Sequence, residues 1–213
     1  MKRIAVAVDT SDANFDIHAF ANQTPQDTII KVGLQYFTAF GMPKNLNRDI
    51  FLDLKLHDIP NTIYHAVKNV CADVHFMTIY AGGEQEIIKA AVRARNEVGS
   101  VAKIICVTKL TSQNIENAAD VLNLTTLSID AGADGIVCSA LEAESIRHKI
   151  GKNPIIITPG IRPQWYQTVD DQVRTCTPKS AFNAGSNILV IGRPIMSSPN
   201  PIQTLKKIYS EDI

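Results

Sequence analysis

The chain lacks most of what marks a zinc, redox, membrane or nucleic-acid-binding protein. Its 213 residues hold four cysteines, Cys71, Cys106, Cys138 and Cys176, and no two form a CxxC pair. That spacing gives little support to a zinc site or a dithiol motif. Cysteines in or beside apolar segments read instead as reduced core thiols of a cytoplasmic protein. The five histidines, His18, His57, His65, His75 and His148, form no HxxxH or clustered ligand pattern. No run approaches the roughly 18–20 apolar residues that cross a bilayer. The stretch Met1–Asp9 carries two basic residues and a short apolar run, but it ends in an acid with no small-residue cleavage site after it. It reads as a first buried strand, not a signal peptide. Net charge is also absent, with 21 Lys plus Arg against 21 Asp plus Glu. This removes any bulk electrostatic reason to bind nucleic acid or an anionic membrane, while a local site for one phosphate stays open. There is no low-complexity tract and no linker, so one domain over residues 1–213 is expected.

What the chain does have is a recurring short apolar run rich in β-branched residues. Eight such runs are candidate strands: Ile4–Asp9, Thr28–Gly33, Asp49–Leu54, Val74–Tyr80, Lys103–Thr108, Gly135–Ser139, Ile155–Thr158 and Ile188–Ile191. Most are continuously apolar, as expected of parallel strands buried on both faces. The segments between them carry helical patterns. Asn61 can cap a helix with Ile63, Val67 and Val70 on one stripe. Over Glu84–Val98, Ile87, Ile88, Ala91 and Val98 fall to one side, and Glu86, Lys89, Arg93 and Glu97 to the other. Ala140–Ile150 is acidic at its start and basic at its end, which suits the helix dipole. Eight strands alternating with helices predict an α/β fold, a (β/α)8 TIM barrel of the phosphate-binding type. The competing doubly wound sheet would hold fewer repeats, and no GxGxxG follows the first strand.

Polar residues gather where the candidate strands end: Asp9, Lys31, Asp53 with Lys55, Thr108, Ser139, Arg162 after Pro159-Gly160, and Gly192-Arg193. Active sites of this fold assemble at that end. The densest block is Asp53-Leu54-Lys55-Leu56-His57-Asp58-Ile59-Pro60-Asn61-Thr62. Asp53 and Lys55 are two apart on a strand and so face the same way. With Leu52 and Leu54 toward the helices, both charges point into the barrel mouth. Asp53, Lys55, Asp58 and Lys31 can then pair as an alternating chain, and such a cluster is hard to justify by stability alone. Gly192 permits close approach of the backbone and Arg193 offers a bidentate fork, a combination suited to phosphate after the eighth strand. Trp165-Tyr166, after strand seven, reads equally as a lid or as a packed loop.

The ten-residue block from Asp53 to Thr62 resembles the orotidine 5′-phosphate decarboxylase family. The resemblance extends over nearly the whole chain. It takes in Val8-Asp9, Lys31-Val32-Gly33, Val107-Thr108-Lys109-Leu110-Thr111-Ser112 and Asp134 to Ala140, then Thr158 to Pro163, Asp171-Gln172 with Arg174, and Val190 to Ile195. It implies that Lys55 protonates C6 of the pyrimidine and that Asp53 lies near the leaving carboxylate. Lys31 and Asp58 would complete the charge network, and Asp9 and Lys31 would hold the ribose. Thr111 would contact the base, and Arg162, Gln172, Gly192 and Arg193 would gather at the phosphate. It also implies a cytoplasmic homodimer in which Asp58 and Thr62 reach the partner's site. The substrate would be orotidine 5′-phosphate and the product UMP, with no cofactor and no metal. Two departures stand out: Tyr80 where the family usually has histidine, and bulky Trp165-Tyr166 where small residues are common.

The alternatives are a Mg2+-dependent sugar-phosphate barrel such as a keto-gulonate-phosphate decarboxylase, a Schiff-base aldolase using Lys31 or Lys55, and a non-catalytic nucleotide-binding barrel. EDTA sensitivity would single out the first and borohydride trapping the second. A sensor would need the phosphate grip but not the charge network.

Overall fold

In the strand segments, odd- and even-numbered residues are both apolar, and they go to different places. A computed structural model describes residues 2–82, 84–109, 118–166 and 175–212. Eight strands run in chain order: β1 Arg3–Val8, β2 Ile29–Gly33, β3 Asp49–Leu56, β4 Phe76–Tyr80, β5 Lys103–Val107, β6 Gly135–Val137, β7 Ile155–Thr158 and β8 Ile188–Ile191. They close into a barrel in the order β1 to β8, and every neighbouring pair is parallel. Ala5, Ile29, Phe51, Phe76, Ile105, Ile157 and Ile188 form one cluster inside the barrel. Ile4, Val6, Ile30, Val32, Leu52, Met77, Ile79, Ile104, Cys106, Ile136 and Leu189 join a larger cluster between the strands and the helices. Burial on both faces is why these strands read as continuous runs rather than as alternations. Each fully buried large aliphatic side chain contributes about 1.5–3 kcal/mol.

Helices cover the outside. They include α1 Ile17–Gln23, α2 Leu34–Phe40, α3 Pro60–Val70, α4 Gln85–Val98, α5 Ala118–Asp130 and α6 Ala140–Ile150. The set continues with α7 Pro178–Asn183, α8 Arg193–Met196 and α9 Pro201–Asp212. Helix α6 has the expected bounds and charge order, and Ser139 and Glu142 close a capping box at its start. Two details differ from the sequence reading. Asn61 is not the cap of α3: Ile59 holds that place with Pro60 at the first helical position, where a missing N–H costs nothing. Val98 is exposed at the end of α4, and Ala90 and Ala94 complete the buried stripe with Ile87, Ile88 and Ala91. Cys71, Cys106 and Cys138 are buried and Cys176 is half-buried, all four as free thiols. Burial pushes the Cys106 thiol up to about 12. Among the described residues, no helix is long and apolar enough to cross a membrane.

Candidate active site

The inward-facing positions become polar one or two residues above the apolar interior. On β1 the sequence of inward positions runs Ala5, Ala7 and then Asp9. On β2 it runs Ile29, Lys31, Gly33, and on β3 Phe51, Asp53. Above this floor lies a cavity of about 670 Å3, lined by Asp9, Lys31, Asp53, Lys55 and Lys109 on one side and by Gly160, Arg162, Gly192 and Arg193 on the other. That is an ordinary volume for a small-molecule site.

The charges form a row. Lys31 Nζ lies 3.4 Å from Asp9 Oδ1 and 3.4 Å from Asp53 Oδ2, and Lys55 Nζ lies 2.9 Å from Asp53 Oδ1. Lys31 is the most enclosed of the four, with its side chain 7% exposed, against 33% for Lys55. Burial alone would raise the Asp53 carboxyl. The Lys31 and Lys55 ammoniums, with hydrogen bonds from Lys55 and Thr78, outweigh that and hold it below its ordinary value. Asp53 is therefore a fixed negative charge with a cation on each oxygen. Of the three N–H groups of the Lys55 ammonium, one is engaged with Asp53, and no further partner exists among the described residues. Lys55 also lines the cavity.

Close packing holds this row in place. A Cβ on Gly33 would stand 2.7 Å from Asp9 Oδ1 and 2.9 Å from Lys31 Nζ, so only glycine leaves that ion pair undisturbed. Gly192 likewise lies against β1: a Cβ there would meet the Ala7 Cβ at 3.2 Å. Gly192 caps the short α8, which begins with Arg193. At the base of the preceding loop, Arg162 N–H donates to the Cys176 carbonyl at 2.9 Å, which anchors Arg162 beside the cavity.

The network is not the one expected from residue spacing. Asp9 supplies the second carboxylate, and Asp58 stands apart. Asp58 is exposed, and its carboxylate accepts the Ile59 N–H at 2.7 Å. Thr62 is exposed as well, and neither residue lines this chain's cavity. The even spacing of a regular strand is also not what brings Lys55 to Asp53. Lys55 has φ +51°, in the left-handed region, and β3 slips against β4 between Leu52 and Leu56. A bulge re-aims side chains in this way, and spacing alone cannot reveal one. Thr111 and Gln172 lie outside the described residues.

Sequence reasoning assigned no role to two residues. Thr78, fully buried on β4, bonds both Asp53 and the backbone of Lys55. Lys109 lines the cavity and has no ion pair or hydrogen bond among the described residues. The inward parity of β5, shared with Val107, was the available signal for Lys109. Tyr80 meets His57 edge-on, with ring centroids 5.3 Å apart. Trp165 is exposed and Tyr166 half-buried; Lys207 of α9 lies 4.6 Å above the Trp165 ring and the Arg162 guanidinium 5.8 Å from the Tyr166 ring.

Residues 2–208 match the family model described as orotidine 5′-phosphate decarboxylase / HUMPS family. The orotidine 5′-phosphate decarboxylase of Staphylococcus haemolyticus is 40% identical over 220 residues, covering 95% of each chain. That of Psychromonas ingrahamii is 39% identical and covers 97% of this chain and 95% of its own. The crystal structure of orotidine 5′-phosphate decarboxylase from Lactobacillus acidophilus aligns over 99% of both chains, with a TM-score of 0.79 and 32% identity. The Pyrococcus horikoshii enzyme aligns over 98% of both chains with a TM-score of 0.79, and at 20% identity it speaks to the fold alone.

Proposed function

The chain belongs to the orotidine 5′-phosphate decarboxylase / HUMPS family, and from that membership we propose that it is a carboxy-lyase of pyrimidine biosynthesis, converting orotidine 5′-phosphate to UMP and CO2 without cofactor or metal. The observation that carries this reading is the row Asp9–Lys31–Asp53–Lys55, held at ion-pair distances on one wall of a cavity whose other wall presents Gly192, Arg193 and Arg162. A phosphate-binding sensor would have no use for the first wall.

The chemistry needs such a row. Breaking the bond from C6 to the carboxylate leaves its electron pair in an sp2 orbital at C6, where no adjacent carbonyl can delocalise it. A fixed ammonium beside that carbon stabilises the developing charge. Lys55 has that role in our reading: it then passes one N–H proton to C6 and recovers a proton from solvent. Asp53 fixes the ammonium and stands near the departing carboxylate. Lys31 and Asp9 anchor Asp53 and reach the ribose. Arg162, Gly192 and Arg193 hold the phosphate, with Gln172, and Thr111 meets the base. Binding energy from the remote phosphate can order the reacting end of the site. Metal-free catalysis is supported by the cations already built into the wall.

Asp58, just before α3, and Thr62, in its first turn, are exposed and do not line this chain's cavity. That placement supports the homodimer reading, in which each supplies the partner's site. A cytoplasmic setting accords with the free thiols.

The test follows the fall in ultraviolet absorbance as orotidine 5′-phosphate becomes UMP, in the presence of EDTA. Sustained turnover is expected. Tight UMP binding without turnover would support a sensor, and neither turnover nor UMP binding would support the Mg2+-dependent sugar-phosphate chemistry.

A further inference from the structure

We infer that Thr78 is a positioning residue for the decarboxylation, setting where the Lys55 ammonium points; this rests on the role of Lys55 proposed above. The starting point is the register of β3 against β4. Leu52 pairs with Met77, and the next pair is Leu56 with Ile79. Four steps along β3 thus match two along β4, so the segment holding Asp53 and Lys55 is looped out of the ladder. Lys55 absorbs the surplus with φ +51°, a conformation a lysine keeps only when its surroundings hold it there.

Thr78 does the holding. The backbone N–H of Lys55, displaced from the strand ladder, donates to Thr78 Oγ1 at 2.8 Å. The same hydroxyl donates to Asp53 Oδ1 at 3.1 Å, and that oxygen accepts Lys55 Nζ at 2.9 Å. The result is a closed ring running from the backbone of Lys55 through Thr78 and Asp53 to its own ammonium. A hydroxyl has one proton to give, so with Lys55 N–H as its donor its direction is settled. Lysine reaches its charge through a flexible four-carbon stem, and here the backbone end of that stem is tied to the buried Thr78 hydroxyl directly and the ammonium end through Asp53. Thr78 is fully buried and does not line the cavity. It therefore acts through Lys55 and Asp53, never on substrate.

The test compares wild type, Thr78→Val and Thr78→Ser in steady-state turnover of orotidine 5′-phosphate, with thermal melts and UMP binding on each. Valine keeps the shape and removes both hydrogen bonds. Because misplacing a catalytic group by about 1 Å can cost on the order of 10²-fold, Thr78→Val is expected to lose about that factor in kcat. KM and UMP affinity, set at the phosphate end, should hold. The acid limb of its kcat profile should move to higher pH, since Asp53 has lost a donor. Thr78→Ser should restore kcat and profile together, which a purely structural role would not require. A folded Thr78→Val with wild-type kcat would overturn the assignment, and so would equal losses in the valine and serine variants. If valine is not tolerated, Thr78→Cys, with its weak S–H donor, should show the same split, and full activity there would overturn the assignment. Wild-type protein without turnover would instead overturn the functional reading and this role with it.

Discussion

Asp134 sits where β6 begins and Asp53 in the second half of β3, and both carboxylates hold two cations. Asp134 takes Arg95 at 3.0 Å, Lys103 at 3.3 Å and the backbone N–H of Ile104 at 2.9 Å. Arg95 is itself committed further, to the Ala102 carbonyl at 2.9 Å. Around the same rim, Asp49 pairs with Arg3 at 2.7 Å and with His75 at 3.1 Å, while His75 Nδ1 accepts the Ile50 N–H. At this end charges terminate strands and satisfy backbone donors. Among the described residues, Asp53 takes no backbone N–H. Its partners are two ammoniums and a hydroxyl, and both ammoniums line an open cavity. Similar pairing distances thus serve different ends: Asp134 ties cations to a strand end and a backbone N–H, and Asp53 holds two ammoniums against the cavity. That distinction separates a structural ion pair from a site.

Substitutions can break this contrast at either end. The largest effect should follow Lys55→Ala, which takes away one of those two ammoniums. We expect kcat for orotidine 5′-phosphate to fall by about 10³-fold or more, with a melting curve close to wild type, because Asp53 keeps Lys31. Near-wild-type turnover in that variant would remove Lys55 from its role. Next comes Arg193→Ala. A charge-assisted hydrogen bond contributes about 1.5–3 kcal/mol, so kcat/KM should drop roughly 10–100-fold. A substrate lacking the phosphate should be spared, and an equal loss with it would dismiss Arg193 as a phosphate contact.

The floor should answer in stability alone. Asp134→Ala leaves Arg95 and the Ile104 N–H short of an acceptor, costing about 2 kcal/mol and lowering the melting temperature by roughly 4–8 °C. Its kcat should match wild type, and a large fall in kcat with unchanged melting would erase the contrast. The smallest effect is in acid. The folded carboxyl of Asp53 is depressed, so its contribution to stability is complete above the unfolded value, about 3.9. That contribution is lost as pH falls through the lower folded value. Asp53→Asn should flatten that part of the stability profile, as read by chemical denaturation from about pH 5 downward. A profile unchanged by the substitution would mean that Asp53 is not held below its ordinary value.

Much of this was legible beforehand, for identifiable reasons. All eight candidate strands correspond to observed ones, with ends moved by at most two residues, as at β4, which starts at Phe76 rather than Val74. The signal was local: apolar runs bounded by polar residues. Lys31, Asp53 and Lys55 were found because charges inside apolar runs are conspicuous. Asp58 was grouped with them on proximity in sequence, yet the chain turns after Leu56 and carries it to the surface. Thr78 was passed over because a threonine in a strand is unremarkable until its neighbours across the sheet are known.

The sequence by itself determined the barrel and the end at which its polar residues collect, because strand parity and apolar periodicity are properties of adjacent residues. Only the tertiary structure decided that, within one chain, it is Asp9, from 44 positions earlier than Asp53, that joins the row of charges, while Asp58 lies exposed outside that chain's cavity. It also decided that Lys55 reaches Asp53 through a left-handed backbone pinned by Thr78. Both outcomes depend on the register between strands distant in the chain, and register is settled by packing across the closed barrel, which no local pattern encodes.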